Sequence, residues 1–260
     1  MQANGNSGEG TNTVWMKLQS KVSSIICSAR RAGSLWKCIY RYGLERALWV
    51  LGYVEETLGG HESFSRKLPF DRNISPLPWY TYPAIEYIRQ FDFSGCRVFE
   101  YGSGNSSRFW AQRASTVTSV ESHPDWYRSG IRELLPNQTL LLRTEKQEYV
   151  NTIHDGNNLF DIIVIDGVYR FNCATQAVGR IRTGGFIILD NSDWFPGTAR
   201  FLRDSGFTQV DFIGAGPVNS YAWCTSLFFR GQINVSRISD SEAIRVSGGL
   251  VEISEADKLL

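Results

Sequence analysis

Beyond residue 83, two patterns of apolar residues alternate along the chain. Short and almost continuous apolar runs, such as Phe160–Ile165, are typical of strands that are buried on both faces. Between these runs, apolar residues recur every three or four positions, which is typical of helices. Strands that alternate with helices predict an α/β fold with a doubly wound, mostly parallel sheet.

Seven strands and five helices follow from these patterns. The predicted strands cover residues 96–101, 116–121, 139–142, 160–166, 185–190, 210–213 and 223–229. The predicted helices cover residues 84–91, 106–113, 124–135, 173–181 and 196–204. Because residues 214–221 are too few for a helical crossover, we expect the last two strands to pair antiparallel, with the final strand reversed.

The pattern also divides the chain into segments. We predict disorder for 1–12, a helical arm for 13–58, a linker rich in proline and aromatic residues for 59–82, the main domain for 83–230 and a tail for 231–260. The linker ends in Trp79–Tyr82, whose aromatic side chains form either a lid over a pocket or a hydrophobic plug beneath the next helix.

The arm carries basic residues without acidic ones between Thr11 and Gly43. A basic amphipathic segment with tryptophan on its apolar side suits the surface of an anionic membrane. The alternative is an arm that packs on the main domain or on a second copy of the chain, with its basic face in solvent. Peripheral membrane contact and self-association through 13–58 therefore both stand as predicted interactions.

Composition narrows the class of protein. The formal net charge is +1, so no bias toward nucleic acid is expected. The five cysteines are scattered and form no CxxC pair, which argues against a zinc ribbon or a disulfide framework and favours a reducing compartment such as the cytoplasm. The polar N-terminus has no apolar core of the kind that makes a signal peptide.

A glycine turn follows the first predicted strand. The strand stops at Gly102-Ser103-Gly104, and Asn105 then stands where a helix-capping residue is expected. A strand, a glycine turn and a helix N-terminus bring backbone N–H groups close to a nucleotide-like ligand. Gly104 lets the backbone approach that ligand without a Cβ in the way.

Acidic residues stand at the ends of the other strands, where an open α/β sheet binds its ligands. Glu121 ends the second strand at a spacing from the turn that suits a ribose-binding carboxylate, and its alternative is a capping or solvated acid. Asp166 ends the fourth strand, and Asp190-Asn191 ends the fifth. Glu100 lies inside the first strand, where it needs a cationic ligand group, a loop N–H or a structural hydrogen bond.

Together these stretches resemble the class I S-adenosylmethionine-dependent methyltransferases, which have a Rossmann-like fold with a reversed last strand. The resemblance covers about residues 80 to 230 and rests on Val98–Gly104, Val120-Glu121, Phe160–Gly167 and Gly184–Asn191. It implies that S-adenosylmethionine is the cofactor. It further implies cofactor-binding roles for Glu100, Gly102, Ser103, Gly104, Asn105, Glu121 and Asp166, although Ser106 replaces the usual third glycine.

Asp166, Asp190 and Asn191 also resemble the metal ligands of the catechol and caffeoyl-CoA O-methyltransferases. That resemblance implies Mg²⁺, which would lower the pKa of a substrate hydroxyl. Gly167 and Arg170 depart from the pattern, and an Asp-Asn pair also caps turns without metal.

Three residues are candidates for catalysis: Asp166 as a positioning group, His123 as a base and Arg170 as a partner for an anionic substrate group. The alternatives are an ordinary loop histidine and a salt bridge from Arg170 to Asp166 or Asp190. Trp194 and the loop that ends at Tyr221 are expected to border the acceptor pocket.

The expected function is methyl transfer to a small-molecule acceptor, most readily at an oxygen. Two other functions stay open: a nicotinamide-dependent oxidoreductase, and a non-catalytic module that binds a membrane or a partner through the basic arm.

Overall fold

A computed structural model describes residues 43–230 of the chain. The predictions for 1–12, for 231–260 and for most of the arm lie outside these residues, and the proposed division into segments stays a prediction. The chain forms two compact units, Met1–Val54 and Glu55–Leu260. Helix α1, Leu44–Gly52, belongs to the first and leads into a π-helical turn, Tyr53–Thr57. Between residues 43 and 230, no helix has both the length and the apolar character that crossing a membrane requires.

The described part of the second unit alternates strands and helices as the sequence predicts. Its strands are β1 Arg97–Tyr101, β2 Thr116–Glu121, β3 Gln138–Leu142, β4 Phe160–Ile165, β5 Ile181–Leu189, β6 Phe207–Ala215 and β7 Ala222–Arg230. Its α-helices are α2 Gly60–Arg66, α3 Tyr82–Ile88, α4 Asn105–Ala111, α5 Pro124–Gly130, α6 Lys146–Asn151, α7 Arg170–Ala177 and α8 Pro196–Asp204. Short 3₁₀ helices follow α5 at Ile131–Glu133 and α6 at Thr152–Asn157.

The seven strands form one sheet in the order β3-β2-β1-β4-β5-β7-β6. The pairs from β3 to β5 are parallel, whereas β7 runs antiparallel to both β5 and β6. This is a doubly wound order with a reversed strand inserted next to the edge. The predicted α/β class and the reversed last strand are confirmed.

Helices cover both faces of the sheet because successive strand residues point to opposite sides. Val98 faces a core that contains Phe109 and Trp110 of α4, whereas Phe99 faces a core that contains Cys173 of α7 and Leu202 of α8. All six side chains are almost fully buried. Both faces of the central strands are thus apolar, which explains why their sequences read as continuous apolar runs.

Several predicted boundaries were wrong. The helix predicted for 173–181 is observed at Arg170–Ala177, and Ile181 begins β5 because it pairs with Phe160 across the sheet. The helix predicted for 124–135 ends at Gly130 and continues as a 3₁₀ turn. Helices α2 and α6 were not predicted, since each is too short to show a clear helical period.

Candidate active site

A cavity of about 480 Å³ opens at the carboxyl-terminal edge of the parallel strands. Its walls come from the turn after β1, the ends of β4 and β5, and the connection between β6 and β7. Leu68, Pro69 and Trp79 from the predicted linker also line it. The cavity therefore lies where doubly wound sheets bind their ligands, and it is called the cleft below.

The glycine turn forms one end of the cleft. Gly102 and Gly104 have φ angles of 102° and 152°, which side-chain-bearing residues rarely adopt. Gly102 N donates to Val120 O at 2.9 Å and ties the turn to β2. A Cβ at Gly104 would meet no protein atom within 4 Å, so this stretch of backbone is open to a ligand.

Asn105 does not cap the following helix as predicted. Gly104 occupies the N-cap position, and Asn105 is the first residue of α4. The Asn105 side chain instead donates to Pro69 O at 2.6 Å. Asn105 lines the cleft, and its hydrogen bond fastens the linker against the turn.

Glu121 ends β2 beside the same turn, as its spacing predicts. Its Oε1 accepts the backbone N–H groups of Ser122 and His123 at 2.8 Å each, and its Oε2 accepts the Ser103 hydroxyl at 2.7 Å. A carboxylate has roughly four acceptor positions. Three are therefore used within the protein, and the carboxylate is fixed in orientation next to Ser103, which lines the cleft.

Glu100 is fully buried behind the turn. Its Oε2 accepts hydroxyl groups from Ser107 and Ser119, while its Oε1 has no hydrogen-bond partner. Burial raises the pKa of Glu100 to about 7, and neighbouring serine hydroxyls oppose that rise. Among the three partners considered for this carboxylate, the structure provides the structural hydrogen bond.

Arg170 joins the loops that follow β4 and β5. Its guanidinium donates to Gly167 O at 3.0 Å, to Asp166 O at 3.3 Å and to Asp166 Oδ1 at 3.0 Å. It also donates to Asp190 O and, at 3.2 Å, to Asn191 Oδ1. These bonds use all five N–H groups of an arginine. The salt-bridge alternative therefore describes Arg170, and the predicted pairing with a substrate anion would have to break existing bonds.

The same contacts argue against the predicted Mg²⁺ site. The Arg170 cation already bonds to Asp166 and Asn191, and the Asp190 Oδ1 accepts Trp223 Nε1 at 3.1 Å and Thr225 Oγ1 at 2.5 Å. No cluster of three potential acidic, histidine or cysteine ligands occurs within residues 43–230. The chemistry of these donors fits a buried ion pair rather than a hydrated divalent ion.

Burial also changes the acidity of the two aspartates. It raises the pKa of Asp166 to about 6, although the Arg170 charge lowers it. Burial raises the pKa of Asp190 well above its usual value, and the Asp166 charge adds to that rise. Asp166 lines the cleft, and none of the hydrogen bonds found between residues 43 and 230 uses its Oδ2.

His123 has an ordinary structural position. It is the N-cap of α5, where its Nδ1 accepts the Asp125 N–H at 3.2 Å. Its side chain is exposed, and it is not among the residues that line the cleft. This position favours the loop-histidine alternative over the predicted base.

Aromatic side chains line much of the rest of the cleft, and Trp194, Tyr221 and Trp223 form its aromatic end. Trp194 and Tyr221, which the sequence placed near a pocket, line the cleft together with Trp79, which was considered as part of a lid or of a plug, and with Trp126 and Trp223. Sequence reasoning missed the last two, because a tryptophan within a helix or strand reads as a core residue. Only the reversed strand and the position of α5 bring them to this edge.

No protein-family model matches the chain, and no curated protein matches it. Among solved structures, it is similar to the O-methyltransferase TomG from Streptomyces achromogenes in complex with S-adenosylmethionine: 17% identity, 68% of this chain and 89% of that chain, TM-score 0.48. It is also similar to precorrin-6y C5,15-methyltransferase from Geobacter metallireducens. The identity is 15%, the match covers 64% of this chain and 92% of that chain, and the TM-score is 0.46. A third similar structure is ribosomal protein L11 methylase from Lactobacillus delbrueckii. The identity is 16%, the match covers 57% of this chain and 77% of that chain, and the TM-score is 0.42.

The chain has a doubly wound α/β fold. The strand order with its reversed β7 is the arrangement that the sequence resemblance implied. The glycine turn and Glu121 lie together at one end of the sheet edge, and Asp166 lies in the same cleft as the turn. The names of these similar proteins point to different acceptors, a ribosomal protein in one and a precorrin in another.

Proposed function

We propose that the chain is an S-adenosylmethionine-dependent methyltransferase that acts on an oxygen of a small-molecule acceptor. One observation carries the proposal: an open glycine turn, fastened to the acid at the end of β2, shares a cleft with a second acid at the end of β4. The arrangement offers a site for the cofactor and, beside it, a site for the acceptor.

The residues of the turn fit the cofactor. Backbone at Gly104 is open to a ligand, and the Glu121 carboxylate is held in one orientation by Ser103 and two backbone N–H groups. Gly102 to Gly104 would hold the methionine part, and Glu121 would accept ribose hydroxyls. A ribose diol that donates to both oxygens of the Glu121 carboxylate would compete with the Ser103 hydroxyl for Oε2, because few acceptor positions of this carboxylate are left.

Bound S-adenosylmethionine supplies a methyl group on a positively charged sulfur, which an acceptor oxygen can attack in line. The protein's task is to hold that oxygen in place and to exclude water. Asp166 is suited to this task because its Oδ1 is anchored to Arg170 while its raised pKa makes it a better proton acceptor than an ordinary aspartate. Asp166 Oδ2 would accept the hydrogen bond of the acceptor hydroxyl.

Calorimetry with S-adenosylmethionine and S-adenosylhomocysteine tests the proposal, with NADH as the comparison ligand. We expect saturable one-to-one binding of both sulfur compounds and none of NADH. Binding of NADH alone would favour an oxidoreductase. If no ligand binds at concentrations up to about 1 mM, the upper end of usual KM values, the assignment as a methyltransferase is wrong.

A further inference from the structure

The aromatic end of the cleft forms a continuous wall. The rings of Trp194 and Tyr221 lie 6.2 Å apart between centroids at an interplanar angle of 31°, and those of Tyr221 and Trp223 lie 5.8 Å apart at 60°. Such a wall binds a ring-shaped ligand through its apolar face. The proposed cofactor is placed at the glycine turn, so the wall remains for the acceptor.

Two buried donors in the cleft lack hydrogen-bond partners among residues 43–230. Trp79 Nε1 and Trp194 Nε1 are both buried and make no hydrogen bond, although both side chains line the cleft. Leaving a buried donor without an acceptor costs about 1–3 kcal/mol. A ligand that brings oxygen atoms to these indole groups recovers that cost, so we expect the acceptor to carry several of them.

Hydrogen-bond acceptors lie in the same cavity. Asp166 has its Oδ2 unused, as described above, and the amide side chains of Asn191 and Asn219 line the cleft as well. A ligand that satisfies both the indole donors and these oxygens has to be donor and acceptor at once. Hydroxyl groups have that property.

The charges in the cleft exclude other ligand classes. A quaternary ammonium group would find the charge of Asp166 already offset by the Arg170 guanidinium 3.0 Å away. An anionic ligand would meet the Asp166 carboxylate. A purely apolar ring would leave the two indole N–H groups without an acceptor. A neutral ring that bears several hydroxyl groups fits all of these constraints.

From this geometry we infer that the acceptor is a saccharide. Its ring stacks on Trp194 and Tyr221, its oxygens accept the indole N–H groups of Trp79 and Trp194, and one of its hydroxyls donates to Asp166. The role of the saccharide as methyl acceptor rests on the proposed methyltransferase function, whereas saccharide binding itself does not depend on the cofactor.

The test uses the full chain and four methyl glycosides, of glucose, galactose, mannose and rhamnose, with catechol and choline as comparison ligands. Binding is followed by tryptophan fluorescence and by calorimetry, up to about 10 mM, which is tenfold above the usual ceiling of KM values. We expect at least one glycoside to bind in the absence of cofactor, and to bind more tightly than catechol and choline.

Variants locate the site. Trp194→Phe removes an indole donor and should weaken glycoside binding about 2- to 12-fold, the worth of one net hydrogen bond. Tyr221→Ala should weaken it further because it removes part of the stacking wall. Trp49→Phe is the matched control, since Trp49 is 66% exposed and belongs to the other unit. None of the three variants should change the affinity for S-adenosylhomocysteine.

The outcomes separate the two proposals. Binding of catechol or choline alone, the absence of binding by every glycoside, or glycoside binding that Trp194→Phe leaves unchanged would overturn the saccharide site. Failure to bind S-adenosylhomocysteine while a glycoside still binds would overturn the methyltransferase function and support the saccharide site. Binding of both ligands, with the expected loss in Trp194→Phe, supports both.

Discussion

Gly167, the residue after Asp166, leaves no room for a side chain. A Cβ at this position would lie 2.0 Å from Tyr149 Oη and 2.9 Å from Gly102 N. The φ angle of Gly167 is not positive, so alanine itself is compatible with the backbone there. A Gly167→Ala substitution therefore isolates the cost of steric overlap between the β4 loop and the glycine turn.

That cost can be stated from the packing. Overpacking a filled site typically costs about 1–3 kcal/mol, and the Tyr149 ring cannot swing away easily because it is 1% exposed and packs against Tyr101. In a protein of this size each kcal/mol lowers the Tm by about 2–4 °C. We expect Gly167→Ala to lower the Tm by about 2–12 °C and to weaken S-adenosylhomocysteine binding, because Gly102 is displaced.

A second substitution makes the explanation testable. Tyr149 Oη is buried and makes no hydrogen bond, so Tyr149→Phe should cost little by itself. In Gly167→Ala it removes the shortest overlap and should recover part of the lost stability, which a double-mutant cycle measures. Gly95→Ala is the control, since a Cβ at Gly95 meets nothing within 4 Å. Equal melting temperatures for Gly167→Ala and Gly95→Ala, or additive effects in the cycle, would refute the steric argument.

Three further predictions concern the charged groups. Glu121→Ala should weaken S-adenosylhomocysteine binding about 10- to 150-fold, the range for hydrogen bonds to a charged group, whereas the exposed Asp125→Ala should not; equal affinities would exclude Glu121 from the site. The pKa of Glu100 is raised from 4.5 to about 7, so the native protein loses stability as pH rises through that range. The free energy of unfolding of Glu100→Gln, relative to that of the native protein, should therefore be about 3 kcal/mol higher at pH 8 than at pH 5, at 1.36 kcal/mol per pKa unit. Chemical denaturation at the two pH values measures this difference, and a difference that does not change with pH would contradict the prediction. Arg170→Met should lower the free energy of unfolding by about 3–5 kcal/mol because it leaves buried carboxylates unpaired. Arg182→Met, in an exposed pair, should lower it by at most about 1 kcal/mol. Similar urea midpoints for the two variants would show that Arg170 does not stabilise the two loops.

Local signals predicted much of the fold. The bounds of β2, Thr116–Glu121, and of α8, Pro196–Asp204, were predicted to the residue. The first is rich in β-branched residues and ends in an acid, and the second begins with proline and ends two residues before Gly206. The errors fell where long-range contact decides the structure, as at Ile181, which joins β5 because Phe160 lies beside it.

The sequence by itself determined which residues stand at the strand ends: the glycine turn, Glu121, Asp166 and Asp190 followed from apolar runs and the residues that stop them. Tertiary structure decided which partners these groups contact. Arg170 looked like a residue at the rim of the cleft, yet it spans two loops that lie far apart in sequence and uses every donor there. The aromatic wall likewise exists only because the reversed β7 brings Trp223 beside the end of β5. Side-chain partners across a sheet depend on strand order, and no local pattern of residues encodes that order.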